Sequence, residues 1–543
     1  MYYFSLQYSA IQKTVLRHDR LWSIAGLSHL MSELNEIRFP EIASSHGGHV
    51  IVAGGGKFTA SFDDDTKAGN AKKEIVRLLS TTLPMLEFQI TEEPVEAADF
   101  AAVQKADNGK NKPGIIHALD EHKRCFRGYG VTYNPYLEVC GECKEYPAVR
   151  GTKIGKKEAC SVCASAKEKA AMNPAELVRI PDGDAGRHST IRQIYRNYFR
   201  SDGLHERAKE GEIVIPLNLD ALFPKDKEGG ETKGRRVAVW ASDMNNMGDK
   251  VKLWLRQDEK KALDTFVDVT TANIEIVSTA LLKTFTPDTL VKRWEEEEGT
   301  WQTYNPFRLI VAGGDDLCLV MPEKHIIAFT LNLCDALNEK RKEIEKNPDH
   351  PLNIAWLKTE AEKYKLDTKK DDISVGPFCF GGSFIVTSVH TPFRKIHEAS
   401  EDLMKEAKKK TGRAYNSVNW RVLLVDGNSD ADALLPFQKP LGIDEKYNGW
   451  RSFDEFNKLL KNSLTKKLSA SHLHQVIGWI MESKGDARLF EKKLKRTAEA
   501  AKKDSAMSQL LSDEFRGEDG QLDMAAITTL CELLTIGGEV RNV

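Results

Sequence analysis

VIVAGGGKFTASF at 50–62 and LIVAGGDDLCLVM at 309–321 decide the fold. Each is an apolar run, a glycine-rich turn and a second apolar run. That pattern specifies a β-hairpin in which glycine supplies the backbone angles of the turn. Before the first hairpin stand a strand-like YYFSLQYS and a helical stretch with Leu21, Ile24, Leu27, Met31 and Leu34 on one face. Before the second stand RRVAVWAS and a helical stretch through Phe266, Val269, Ile276 and Ala280. Strand, helix and glycine-rich hairpin thus occur twice, which predicts two copies of one α+β unit. The literal identity is short, so two unrelated hairpins remain the alternative at this point.

Outward from the hairpins, the chain of 543 residues has room for three to five domains. An apolar content of 41%, a charged content of 29% and a net charge of −2 describe an ordinary globular protein without a global pull toward nucleic acid or membrane. No apolar run reaches the ~18 residues needed to span a bilayer. The first twenty residues lack the pattern of a signal peptide. QKADNGKNKPG (104–114) and PKDKEGGETKG (224–234) are too polar to pack and are predicted linkers. Beyond about residue 430 the pattern turns helical, with Ser452 and Glu455 as a capping box ahead of Phe453, Phe456, Leu460, Leu464 and Leu468. The predicted division is 1–110, 111–230, 231–430 and 431–543, the last a helical bundle.

The second unit differs from the first where chemistry would sit. Asp243 ends the strand VAVWAS, and Asp315 and Asp316 tip the hairpin AGGDDL, so three carboxylates are expected at one sheet edge. Clustered carboxylates are costly unless a cation neutralises them. Two Mg²⁺ or Mn²⁺ ions on such oxygens can drive an in-line phosphoryl displacement. Gly313 and Gly314 would let the backbone approach a triphosphate. The pattern is that of a two-metal nucleotidyltransferase palm. In the first unit Gln7 stands where Asp243 does, and Gly56-Lys57 where the acid pair does, so it cannot hold the same metals. Gly54, Gly55 and Gly56 with Lys57 would cradle phosphate, or the copy is merely structural.

Nine cysteines are present, four of them as Cys140-Gly-Glu-Cys143 and Cys160-Ser-Val-Cys163, sixteen residues apart. Two such knuckles predict a closed, structural Cys₄ zinc site, and the remaining cysteines fit a reducing cytoplasm. Lysines 153, 156 and 157 and the run Lys492, Lys493, Lys495, Arg496 read as solvated faces or as phosphate contacts to RNA.

These residues resemble the large polymerase–cyclase subunit of type III CRISPR–Cas effector complexes in its Cmr form. The resemblance rests on GGDD in VAGGDDLCLV, SDMNNMGD at 242–249, the GGGKF hairpin, the paired CxxC knuckles, RHDRLWSIAGLSHLMSEL at 17–34 and GGSFIVTSVHTPFRKIHEASEDLMKEAKK at 381–409. It implies two ferredoxin-like palms binding two ATP molecules between them, synthesis of cyclic oligoadenylate on capture of target RNA, and assembly with guide RNA, small helical subunits and other members of the complex. By position it makes Asp243, Asp315 and Asp316 the metal ligands. Lys408 falls near the triphosphate, and Asn245 and Gly248 among the nucleotide-binding residues. The family's Asp-x-Asp is here Asp243-Met244-Asn245, which puts a further ligand from that strand in doubt. The chain starts directly at the first palm, and His18-Asp19 lacks the companions of an HD nuclease site, so no DNase activity is expected from it. Members of this kind resemble a subgroup joining AMP to S-adenosylmethionine. For such an acceptor, the acidic Asp63, Asp64 and Asp65 or Glu138 would recognise an amino group, or are an acidic surface turn. A non-catalytic scaffold of the same complex and a diguanylate-type cyclase are the competing readings. The intact acid set argues against the first, and the zinc module and paired palms against the second.

Overall fold

The computed structural model describes residues 1–9, 14–16, 20–84, 86–96, 123–126, 138–227, 235–254, 259–313, 315–363, 376–423, 441–443, 452–461, 470–483, 486–500, 510–511, 515–516 and 521–536. The first unit runs β1 (Tyr2–Ser9), α1 (Leu21–Glu33), α2 (Phe39–Ser45), β2 (His49–Gly54), β3 (Lys57–Phe62), α3 (Asp65–Thr82), β4 (Glu87–Thr91) and β5 (Lys123–Phe126). Its sheet order is β2-β3-β1-β4-β5, with the short strand Val95–Glu96 also on β1. Two helices that matter for the site follow, α4 (Ser161–Ala170) and α5 (Thr190–Phe199). The second unit is β6 (Arg236–Met244), α6 (Met247–Trp254), α7 (Glu259–Thr284), β7 (Arg308–Gly313), β8 (Asp316–Pro322), α8 (Ile326–Lys346) and β9 (Phe380–Ser388). It is extended by α9 (Phe393–Lys410), β10 (Ser417–Val422) and β11 (Leu441–Gly442). Its sheet order is β7-β8-β6-β9-β10-β11.

Both units therefore have the β-α-β-β-α-β order, with the first strand between the hairpin and the last strand. The match extends to detail. Gly54 pairs with Lys57 across the first hairpin and Gly313 with Asp316 across the second. Each hairpin has a β-bulge at the equivalent place, between Val50 and Val52 and between Leu309 and Val311. The central strand ties to each tip in the same way: Tyr8 N–H donates to the Gly56 carbonyl at 2.8 Å and Met244 N–H to the Asp315 carbonyl at 3.2 Å. Two unrelated hairpins would not share a bulge and a cross-strand bond.

The second sheet is covered on both faces, and period-two alternation sorts its side chains. Ala238, Trp240, Leu309, Leu319 and Phe384 join the core with α7, α8 and the C-terminal helices. Val237, Val239, Ile310, Val320 and Ile385 face the core shared with α9 and the first unit. Helix α1 is buried on more than the one face its periodicity suggests, because α4 packs across it. Gly26 makes that approach possible: a Cβ there would lie 1.8 Å from the Ala166 carbonyl oxygen.

The C-terminal helices are α10 (Phe453–Lys461), α11 (Ala470–Ser483), α12 (Ala487–Ala500) and α13 (Met524–Ile536). The capping box forms: Ser452 N–H donates to Glu455 Oε2 at 2.9 Å and Glu455 N–H to Ser452 Oγ at 3.2 Å. Leu464 and Leu468 lie outside the described residues, as do the 104–114 stretch and His18-Asp19. The start of the other expected linker is ordered, contrary to its polarity. Lys225 bridges to Arg293, its carbonyl accepts from Trp294 N–H at 2.9 Å, and Lys227 lies 4.4 Å over the Trp294 ring. The Lys227 ammonium over that ring is a cation–π contact, and the Lys225 ammonium pairs with Glu296 at 2.7 Å. Among the described residues no helix is long and apolar enough to cross a membrane.

Candidate functional site

Strand register brings the acids together. Asp243, next to last in β6, pairs with Asp316 at the start of β8 on one side and with Gly381 of β9 on the other. Asp315 sits at the turn beside them. One carboxylate oxygen from each of the three lies within 4.8 Å of the others. All-oxygen donors at this spacing suit a hard divalent cation such as Mg²⁺ or Mn²⁺. Asp315 is half-buried, Asp316 keeps its outer side in solvent, and both line a cleft between the sheet and its helices. Burial, then the charges of Asp316 and Asp243, push the Asp315 carboxyl up to about 8. Burial and Asp243, opposed by Lys408, push Asp316 up to about 7.

Lys408, from the last turn of α9, forms an ion pair with Asp243. It reaches Asp243 by crossing Gly381. A Cβ at 381 would lie 2.3 Å from Lys408 Cγ and 3.0 Å from its Cε. The glycine opposite Asp243 is thus the groove for the lysine stem, a role that sequence reading missed. Its only trace was a Gly-Gly pair opening a buried strand.

Asn245 does not join the acids. Its side chain is buried, with Nδ2 donating to Cys379 Sγ at 3.2 Å and to the Tyr415 carbonyl at 3.4 Å. The amide thus pegs the β6–α6 turn to the start of β9, a task a charged aspartate could not do without desolvation. Gly248, in the first turn of α6, is exposed with nothing within 4 Å of a Cβ. Gly314 lies outside the described residues.

The first unit presents its tip to the same space. Gly55 and Gly56 hold φ of +57° and +73°, the left-handed region the turn needs. They line a cleft together with Gly313 and Asp316 of the second unit. It encloses about 760 Å³ including its open mouth, within the usual size of a small-molecule site. Gln7 pairs with Lys57 as Asp243 does with Asp316, and Gly54 leaves open space beside it. Asp64 is not part of this cleft. Its carboxylate accepts from Lys67 N–H at 3.0 Å and caps α3. It follows the far end of β3, about 17 Å of strand from Lys57. Capping a helix explains Asp64 fully. Glu138 is exposed beside the cysteine knuckles.

A further acid of the cleft escaped the sequence reading. Glu36 lies in a π-helical turn, Leu34–Arg38, between α1 and α2. Its Oε2 accepts from Thr190 N–H at 2.8 Å and from Thr190 Oγ1–H at 3.0 Å. Its Oε1 would stand 3.4 Å from a Cβ on Gly313. Burial pushes its carboxyl up to about 7 against the opposing pull of both Thr190 bonds. A lone glutamate in SELNEIRF carries no motif, and only the π turn aims it across the cleft.

Cys140, Cys143, Cys160 and Cys163 are all buried, with one Sγ of each within 4.8 Å of the rest. Cys143 and Cys160 Sγ atoms are 3.8 Å apart, the separation that ~2.3 Å bonds to a tetrahedral zinc impose. The donor set and spacing fit a closed zinc site. Glu142, between the first pair, binds Arg20 at 2.8 Å and so ties the knuckle to the start of α1. Of the two basic runs, Lys153, Lys157, Lys493 and Lys495 are paired with Glu158, Glu142, Glu482 and Glu491.

No family model and no curated protein matches the chain. Among solved structures it is similar to Csm1 in T. onnurineus, at 14% identity and a TM-score of 0.48, over 100% of this chain and 70% of that one. It is also similar to a Csm1–Csm4 cassette in complex with cA4, at 14% identity and a TM-score of 0.46, over 99% and 70%. A cassette in complex with one ATP gives 13% and 0.46, with the same coverage. Likeness at this level carries no argument about activity, and the functional reading rests on the residues themselves.

Proposed function

We propose that this chain is the large polymerase–cyclase subunit of a type III CRISPR effector complex of Cmr form, and that its two α+β units are palms facing across one cleft. The observation that carries the reading is the convergence of Asp243, Asp315 and Asp316, with Asp316 lining a cleft shared with the glycine tip of the other unit. Asp243, Asp315 and Asp316 would hold two divalent cations, whose charge would serve to activate an attacking hydroxyl and stabilise a departing pyrophosphate. Gly313 keeps side chains away from the donor triphosphate. Lys408 orients Asp243 and offers its charge to the phosphates. In the first palm Gly54, Gly55, Gly56 and Lys57 hold the acceptor without metals of their own, because Gln7 and Lys57 replace the acids.

The product is a nucleotide second messenger, cyclic oligoadenylate or AMP joined to S-adenosylmethionine, made when guide RNA has captured target RNA in the assembled complex. The Cys₄ module holds zinc structurally. To test this, the complex is incubated with ATP, Mg²⁺ or Mn²⁺ and target RNA, with and without S-adenosylmethionine, and the product is read by mass spectrometry. A product present in the native complex and lost in Asp315→Ala/Asp316→Ala supports the reading. A product that persists in the double variant refutes the site.

A further inference from the structure

Arg308 opens β7, at the end opposite the Gly313 tip. It is fully buried, and among the described residues none of Nε, Nη1 and Nη2 has a hydrogen-bond partner. Helices α1 and α5 both pack on this strand. Helix α5 brings Arg192, whose buried Nε is also unpartnered, and Tyr195, whose hydroxyl oxygen accepts from Leu309 N–H at 2.8 Å and keeps its own proton to donate. Helix α1 brings His29, whose Nδ1 faces the Lys169 carbonyl at 3.3 Å and whose Nε2 is unpartnered. Glu142, which attracts Lys167, is itself committed to Arg20 at 2.8 Å and Lys157 at 3.8 Å. Lys167 lies over the Trp22 ring at 5.2 Å, and Lys169 is committed to Glu33 at 2.6 Å. Burial, with the field of Arg308 adding to it, disfavours the protonated forms of His29 and Lys167. Among the described residues neither Arg308 nor Arg192 has an ion-pair partner.

A fully desolvated guanidinium with no hydrogen-bond partner is among the costliest arrangements a fold can contain, and native structures compensate it. We propose that the junction of α1, α5 and β7 is a binding site for a small monovalent inorganic anion, a halide, held by the Arg308 guanidinium with Arg192 and the Tyr195 hydroxyl. Enclosure sets the size. Arg308 has no accessible surface, so a nucleotide or an oligonucleotide phosphate cannot reach it. A spherical ion that only accepts matches the unpartnered donors of Arg308 and Arg192 and the free proton of the Tyr195 hydroxyl. The anion would tie the first unit's α1 to the strand that carries the second unit's tip, away from the carboxylate cluster.

Bromide replaces chloride and is visible at its absorption edge. Crystals of the native protein in sodium bromide are expected to show an anomalous peak within hydrogen-bonding reach of the Arg308 guanidinium. In solution, the unfolding midpoint of the native protein is expected to be ~2–4 °C higher in chloride than in methanesulfonate at equal ionic strength. That difference should vanish in Arg308→Met. If Arg308→Met does not fold, Arg192→Met serves for the solution comparison, and the bromide experiment needs no variant. No bromide at the guanidinium, a side-chain carboxylate or water alone seated there, or an equal chloride dependence in the variant would each overturn the assignment.

Discussion

Gly381→Ala is a small change with a consequence set by geometry. Its Cβ would sit 2.3 Å from Lys408 Cγ, 3.0 Å from Cε and 3.2 Å from Cδ. All three atoms belong to a flexible stem, so the backbone can stay while the lysine is lifted off. The stability cost should be modest, about 1–2 kcal/mol, the range of mild overpacking. The catalytic cost should be larger, because Lys408 can no longer hold Asp243. A single preorganised charge at a reacting centre contributes roughly 10²–10³ in rate. Gly381→Ala should therefore lower product formation by about that factor while thermal unfolding remains cooperative. Lys408→Ala should do the same. The decisive assay is the double-mutant cycle: if the alanine acts only through the lysine, Gly381→Ala/Lys408→Ala should be no slower than Lys408→Ala. Two penalties that multiply, or a Gly381→Ala protein of native activity, would show that the lysine stem does not depend on this groove.

Glu36 gives a pH signature. Its folded carboxyl titrates near 7 against an ordinary 4.5, so the folded state binds the proton more tightly and stability falls as pH rises from about 4.5 to 7, by on the order of 3 kcal/mol. Glu36→Gln should flatten that part of the stability–pH curve, and an unchanged slope in denaturant titrations at pH 5 and 8 would show the burial to be wrong. Cys143→Ser should release one equivalent of zinc, read by elemental mass spectrometry, and lower the unfolding midpoint. Native zinc content in that variant would dismiss the Cys₄ site. Gly26→Ala should destabilise by about 1–3 kcal/mol or more, because the new methyl meets the Ala166 backbone rather than a yielding side chain. A midpoint equal to the native one would mean that α1 and α4 do not approach so closely.

The duplicated α+β unit was legible because its signal is local. A Gly-rich turn between two apolar runs needs no tertiary information, and Gln7 and Asp243 fell at equivalent positions once the hairpins were aligned. Asp315 and Asp316 were legible for the same reason, as were the paired cysteines and the Ser452/Glu455 cap. What escaped depends on packing. Asp64 looked like an acid near a glycine tip, but a strand's length lies between them and a helix takes its carboxylate. Asn245 lies two residues from Asp243, yet it turns inward to Cys379. Gly381 and Glu36 have no motif, since one serves a lysine 27 positions away and the other depends on a π turn. The 224–227 segment reads as a linker because its polarity gives no sign of the strand it pairs with or of Trp294, over which Lys227 lies.

The acids are the site's foundation, and manganese reports on them directly. Diffraction at the manganese edge from the native protein with Mn²⁺ and a non-hydrolysable ATP analogue should show metal at roughly 2.0–2.2 Å from oxygens of Asp243, Asp315 and Asp316, with the triphosphate against the Gly313 turn. Metal bound elsewhere, or a nucleotide seated away from these three carboxylates, would contradict the reading.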